Sequence, residues 1–302
     1  AGILYNYPGY RSTMISSAGA DTAWMLLRNI SNGDVMVVRT TDGGWNWQVQ
    51  ADSLYDHAQG AYANSVHFWD SQRGILLGDP LNGSWDIFLT QDGGSTWNKV
   101  PGAQIPAPLA QETGLETSFA VAGNSIFFGT NASRLFISND FGQNWSAHTV
   151  PIDSGTYYKL TFANAQEGWL LENGTQELFH TEDGGASWTQ ISYTGTIGSY
   201  RFLHVPGTSG VLASSGGAAF GMFYSIDGGL TWQQDAGTAG QRIYGFCFGD
   251  KNNGWAGSRS DSTQNLPLFR LITSQTPVVG TVSLSKERPC QGENITAIPD
   301  IL

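Results

Sequence analysis

The chain has 302 residues, 40% of them hydrophobic and 12% aromatic, so one large core or two smaller ones are affordable. Only 13% is charged, about half the usual globular share of ~25%, and the net charge is −11. That balance argues against sequence-independent nucleic-acid binding, which needs clustered cations, and against docking on anionic membranes. No run of ~18 apolar residues spans a bilayer, and no sustained 3.6-residue apolar period predicts a helix. The chain opens on Ala1 rather than Met, which reads as a mature product whose signal peptide has been removed.

In chain order, a lone strand is expected over 1–7, AGILYNY, and then a unit that recurs. Its first strands are STMIS, NSVHF, TSFAV, YKLTF, RFLHV and GFCF, and its second are AWMLL, GILLG, SIFFG, GWLLE, GVLAS and GWAGS. The third are VMVVR, DIFLT, RLFIS, ELFHT, MFYSI and the shorter LFR at 268–270. After five of these comes the box [ST]-x-D-x-G-x-x-W, as TTDGGWNW, TQDGGSTW, SNDFGQNW, TEDGGASW and SIDGGLTW. The boxes carry Asp42 and Trp47, Asp92 and Trp97, Asp140 and Trp145, Asp183 and Trp188, and Asp227 and Trp232, spaced by 43 to 50 residues. In the sixth unit the box has decayed to LITSQT. A short polar strand follows each box.

Four short strands repeated at this period predict propeller blades. The expectation is an all-β fold, a six-bladed β-propeller of four-stranded antiparallel blades, with seven blades the alternative if the ends hide a degenerate one. Residues 1–7 are expected to supply the outer strand of the sixth blade, removing exposed sheet edges. The domain reading is 1–280 for the propeller and 281–302 for a linker and the start of a following domain.

Each box reads as a hairpin lock. The aspartate accepts backbone N–H bonds of its own turn, glycine permits positive φ, and the tryptophan packs back. Five such turns spread around a ring do not converge, as catalysis requires.

These boxes resemble the Asp-box, or BNR, repeat of sialidases, sortilin-type receptors, xyloglucan-cleaving glycosidases and the photosystem II assembly-factor family. The GW-type strand paired with LFxTxDGGxxW looks most like that last group and its secreted bacterial relatives, over about residues 8–275. The resemblance implies the fold far more than an activity. Residues 283–298, SLSKERPCQGENITAI, resemble the start of Ig-like or PKD-like domains of Bacteroidota surface proteins. That resemblance implies further domains of the same polypeptide and a partner for Cys290 beyond residue 302. Cys247, in the apolar run IYGFCF, is expected to be a buried free thiol.

No catalytic set stands out. The sialidase [FY]-R-I-P motif has only Tyr10-Arg11-Ser12-Thr13 as a shadow. Asp56, Asp79, Asp86 and Glu116 are the carboxylates left free by boxes and turns, with no spacing that singles out a pair. Neither metal-ligand spacing nor a cofactor motif is present, so no metal or cofactor is expected.

Residues at the start of the inner strands would ring one mouth of the channel: Arg11, Asn64, Glu116, Lys159, Arg201 and Arg242. Loops between second and third strands would add Arg28, Asp79, Trp85 and Arg259, and loops between blades Tyr55, His57, Tyr157 and Tyr158. These read either as solvated strand edges or as an anion-holding site for a carboxylate, sulfate or acidic peptide. N-x-[ST] occurs at Asn29, Asn82, Asn131, Asn144, Asn173 and Asn294, and Thr22, Ser53 and Ser262 sit in D-[ST]-x patterns that resemble Bacteroidota O-glycosylation acceptors.

The functional expectation is a secreted or cell-surface, non-catalytic binding or scaffold module, its partner a protein or a glycan, with neither nucleic acid nor direct membrane insertion involved. Two alternatives stand beside it: a sialidase-like glycoside hydrolase, and an assembly factor for a membrane protein complex.

Overall fold

The computed structural model describes residues 7–302 apart from 53, 56–59, 61, 216–219, 259–267, 274–276, 284–297 and 300–302. Among the described residues the fold is all-β, and its 3-10 turns cover only Gly102–Gln104 and Ala236–Thr238. Six antiparallel sheets follow one another along the chain, each built of consecutive strands. Five have four strands and the sixth has five, and sheets of this kind are the blades of a β-propeller. Two compact units divide the chain, Ala1–Gly155 and Thr156–Leu302.

The first unit holds three blades. The strands of the first are β1 (Tyr10–Ser17), β2 (Ala23–Asn29), β3 (Val35–Thr40) and β4 (Gln48–Ala51). The second has β5 (Ala63–Phe68), β6 (Gly74–Leu81), β7 (Ser84–Thr90) and β8 (Asn98–Lys99), and the third β9 (Gly114–Ala122), β10 (Ser125–Thr130), β11 (Arg134–Ser138) and β12 (Ser146–Thr149). In the second unit the fourth blade has β13 (Tyr158–Phe162), β14 (Gly168–Glu172), β15 (Leu178–Thr181) and β16 (Thr189–Ile191). The fifth has β17 (Arg201–His204), β18 (Val211–Ser215), β19 (Gly221–Ser225) and β20 (Gln233–Gln234). The sixth has β21 (Ile243–Asp250), β22 (Asn253–Ser258), β23 (Leu268–Thr273), β24 (Pro277–Ser283) and β25 (Ile298–Pro299).

First strands pack on first strands, β1 on β5 and β5 on β9, and likewise β13 on β17 and β17 on β21. They are therefore the inner strands of their blades. Antiparallel order then fixes a polarity. The start of the inner strand and the turn between second and third strands share one end of a blade, and the box turn lies at the other.

Cores form between neighbouring blades. Trp24, Leu26, Val37, Val66, Phe68 and Leu76 close the first interface. Ile75, Trp85, Ile87, Ile126, Phe128, Phe136 and Trp145 close the second. In the second unit Trp169, Leu171, Phe202, Val211, Phe223 and Trp232 fill the space between the fourth and fifth blades. Second and third strands are apolar on both faces because each face meets a different blade. Outer strands such as β8 and β20 are exposed, which is why they are polar and short.

In the sixth sheet β24 follows β23, paired from Leu268↔Val282 to Thr273↔Pro277, and β25 pairs with β24 at Ser283↔Ile298. Residues 1–6, expected to supply an outer strand there, lie outside the described residues. Strand β24 runs through residue 280, the position expected for the domain boundary. One expectation changes here. Cys247 is exposed rather than buried. Strand alternation explains this: its neighbours Phe246 and Phe248 pack onto the Val205, Leu212 and Met222 cluster, so Cys247 takes the opposite face. Cys290 lies outside the described residues.

Candidate functional site

The boxes behave as locks. In all five the first Ser or Thr hydroxyl donates to the aspartate, at 2.8 Å from Thr40 to Asp42, Thr90 to Asp92, Ser138 to Asp140 and Thr181 to Asp183, and 2.7 Å from Ser225 to Asp227. The same hydroxyl accepts the N–H of the glycine four residues on, at 3.0 Å for Gly44 and 2.8 Å for Gly229. The aspartate also accepts the backbone N–H four residues further, as from Thr96 and Ser187, each at 2.8 Å. Side-chain bonds from Thr96 and Ser187, then these backbone N–H groups, hold Asp92 and Asp183 down at about 2. The indole N–H of Trp47, Trp145 and Trp232 donates to Gly44, Gly142 and Gly229 at 3.0, 2.8 and 2.9 Å. Those of Trp97 and Trp188 are buried without a partner among the described residues. Every strong acceptor of a box aspartate is thus used inside its own turn.

The opposite end of the blades gathers the remaining chemistry. In the first unit Arg28, at the end of β2, pairs with Glu116 at 2.9 Å and lies 3.8 Å above the Tyr62 ring. Tyr62 donates its hydroxyl to Glu116 at 2.7 Å. Beside them, Asp79 accepts from Asn64 Nδ2 and from Gly114 N–H, each at 2.8 Å. Burial raises the Asp79 carboxyl above its usual range against those two bonds. Burial, then the bond to Glu116, pushes Tyr62 up to about 12. A tyrosine serving as a nucleophile needs the reverse shift. Arg28 is therefore joined to Glu116, and Asn64 to Asp79, and these groups largely satisfy one another. Arg11 is exposed and sits opposite Arg28 in register.

Trp85 is a correction. It is 1% exposed, with Phe128 at 5.2 Å and Phe136 at 4.9 Å, because its place on β7 turns it into the second blade interface. It presents nothing to a ligand. Tyr55 and Tyr158 are likewise buried in the core, while Tyr157 is exposed. Asp86 is spent on Lys99. Asp56, His57 and Arg259 lie outside the described residues. Thr22 is half-buried in the β1–β2 turn beside the first box, whereas Ser53 and Ser262 lie outside the described residues.

In the second unit Lys159 and Arg201 open β13 and β17, which run side by side, the Thr161 hydroxyl accepting the His204 N–H at 2.7 Å. Lys159 is only 4% exposed, and its ammonium donates to Asn173. Burial first, and then the Arg201 charge, lower it to about 8. Arg201 is exposed and donates Nε to the Tyr244 carbonyl at 3.1 Å. Arg242 lies 4.6 Å from the Phe220 ring. Sequence reasoning missed Tyr62 and Asn173. The available signals were an aromatic just before an inner strand and a polar residue at the end of the paired strand. Among the described residues no group of His, Cys, Asp and Glu could hold a metal ion, and no helix is long and apolar enough to cross a membrane.

Known proteins match this architecture. A model described as "Photosynthesis system II assembly factor YCF48" matches residues 103–199, and one described as "BNR/Asp-box repeat" matches 223–234. The chain is 26% identical over 197 residues to the "Photosystem II assembly lipoprotein Ycf48" of Synechococcus sp. (strain CC9902), covering 64% of this chain and 55% of that one. It is 23% identical over 164 residues to a "Probable oligoxyloglucan-reducing end-specific xyloglucanase" of Neosartorya fischeri, covering 49% of this chain and 19% of that protein. The chain thus spans about half the length of the first relative and a fifth of the second. Among solved structures, "YCF48 bound to D1 peptide" superposes with a TM-score of 0.57 at 17% identity, over 91% of this chain and 84% of that one. The chain is an Asp-box β-propeller related to the photosystem II assembly factors.

Proposed function

We propose that this chain is a non-catalytic binding and scaffold module, secreted or exposed at the cell surface, that engages a protein partner through the ends of its blades opposite the boxes. The observation that carries this reading is the polarity of each blade. The box aspartates are closed on their own turns by hydrogen bonds, whereas the other end presents the exposed Arg11, Arg201, Tyr157 and Tyr200. Aromatic and guanidinium groups without a catalytic set around them suit recognition rather than turnover. The solved relative bound to a D1 peptide supports a peptide partner.

A second reading, an assembly factor for a membrane protein complex, is favoured by the match over 103–199 and by the lipoprotein relative. The two readings share a peptide partner and differ in its source. Among the described residues three carboxylates are paired with cations, Glu112 with Arg134 at 2.7 Å, Glu116 with Arg28 and Asp86 with Lys99, which weighs against a catalytic pair formed from them.

The test is capture by the immobilised full chain from a membrane and an extracellular fraction of the source cells, with a glycan array in parallel. Recovery of one protein set, reduced by changing Arg201 and Arg242 to Glu, supports the module. Enrichment of a single membrane complex selects the assembly factor. Glycan retention or turnover with no protein recovered overturns both.

A further inference from the structure

A buried lysine ordinarily has a carboxylate partner, because an unpaired buried ammonium is strongly disfavoured. Lys159 does not. Among the described residues its ammonium makes no ion pair, and the neutral Asn173 amide oxygen is its hydrogen-bond acceptor. The nearest acid along the paired strand, Glu172, is turned to its own hairpin. It accepts from Gly174 N–H at 2.8 Å, from Thr175 N–H, and from the Thr175 hydroxyl at 2.6 Å. Of the two charges that act on Lys159, the Arg201 cation outweighs the Glu172 carboxylate. Arg201 opens the adjacent inner strand, one of its five N–H donors goes to the Tyr244 carbonyl, and the rest have no hydrogen-bond or ion-pair partner among the described residues.

The first unit shows what this end of a blade looks like when it is satisfied: Arg28 lies against Glu116, and Tyr62 closes the pair. Lys159 and Arg201 stand on adjacent inner strands, and among the described residues neither makes an ion pair. Tyr157 and Tyr200, 61% and 38% exposed, precede them in sequence, and the Arg201 guanidinium lies 5.9 Å from the Tyr200 ring.

We propose that Lys159 and Arg201 form a binding site for a carboxylate of a protein partner, carried on a chain terminus or on an Asp or Glu side chain. The protein-partner reading selects this source, and a uronic acid, which carries the same anion, is an outcome of the test. Lys159 is almost wholly covered, so an anion seated against it would be shielded from water and felt strongly. Arg201 would then supply its planar fork to the same carboxylate, and the two tyrosines would flank the peptide. Losing an anion held by both cations would leave the amine with its present acceptor, Asn173.

This inference rests on the protein-partner reading, and its experiment separates the two. The full chain is labelled by reductive methylation with carbon-13, and the Lys159 resonance is assigned from Lys159→Met. Four probes are titrated: acetyl-trialanine as free acid, the same peptide amidated, amidated acetyl-Ala-Glu-Ala, and amidated acetyl-Ala-Gln-Ala. The expected result is a saturable shift of the Lys159 resonance with at least one carboxylate-bearing probe and none with its neutral counterpart. The first pair reports a chain terminus and the second a side chain. Arg201→Gln, at an exposed position where folding is not at stake, should weaken binding about tenfold or more. Equal shifts from charged and neutral probes, no shift from any, or a response to trigalacturonate alone would overturn the site. If capture of the natural partner persists in Arg201→Gln while the titration fails, the site falls and the functional reading stands. If the titration succeeds and no protein partner is captured, the reverse holds.

Discussion

Thr181 carries more of its turn than its size suggests. Its hydroxyl donates to Asp183 and accepts from Gly185, and the residue is 2% exposed. Thr181→Val keeps the shape and strands both partners. It should lower stability by about 1–3 kcal/mol, read as a fall in the urea midpoint at unchanged slope. A change below the noise would show that water replaces the hydroxyl without loss. Acid acts on the same locks. The folded-state values of Asp92 and Asp183 lie below the ordinary carboxylate value of 3.8, so their contribution is present above that value and is lost as pH falls through about 2. A second window belongs to His67, lowered from 6.5 to about 4 by burial against Trp69 and Phe119. The unfolded chain binds a proton there that the folded chain refuses, so stability should decline as pH falls from about 6.5 towards 4. His67→Phe should flatten that part of a midpoint-versus-pH curve, and an unaltered slope would assign the decline to other groups.

At the scale of elements, the blades are stapled pairwise by the second strand. Trp24 donates its indole N–H to the Gly93 carbonyl in the next blade's box at 2.9 Å, and Trp169 does the same to Gly228 at 2.8 Å. Replacing Trp169 with Phe leaves most of the apolar area and removes the bond. The expected cost is about 1–2 kcal/mol, with a matching loss of amide-exchange protection in the fourth and fifth blades. Loss confined to one blade would mean the staple is ornamental. The glycine that opens the same strand answers to a different constraint. A Cβ on Gly168 would stand 2.5 Å from Cδ1 of Phe162, so Gly168→Ala should destabilise by about 1–3 kcal/mol through overpacking, checked by the same urea titration. Much of this was legible beforehand. The boxes announce themselves because each lock closes within eight residues and is repeated. The staples were half-legible: the tryptophans stand out, but their acceptors lie 69 and 59 residues away. Trp85 and Cys247 were misread because which face of a strand meets a neighbour depends on blade packing, which local pattern does not encode.

For the whole molecule, one repeat has been put to two uses. In the five boxed blades the Ser or Thr to Asp lock recurs, and the opposite end differs from blade to blade. Among the residues expected at one mouth, Arg28 meets Glu116 and Asn64 meets Asp79, because strand order alone puts strand starts and second-to-third turns at one end of a blade. Their mutual neutralisation was not foreseeable, since Arg28 and Glu116 are 88 residues apart. The expected outcome is that charge reversal at Arg28, already balanced, costs stability, while reversal at the exposed Arg201 costs partner capture. A melting curve and a capture assay on the two variants check this together.

The tryptophans of the boxes also make the protein its own instrument. Trp47, Trp145 and Trp232 hold their indole protons on a carbonyl, and Trp97 and Trp188 do not. Nitrogen-15 spectra should therefore separate these indole signals into a bonded and an unbonded group, with one box tryptophan in each of the first five blades. Followed through a denaturant series, five resonances would record whether the blades melt as a single event or one after another. No foreign label is needed to ask it.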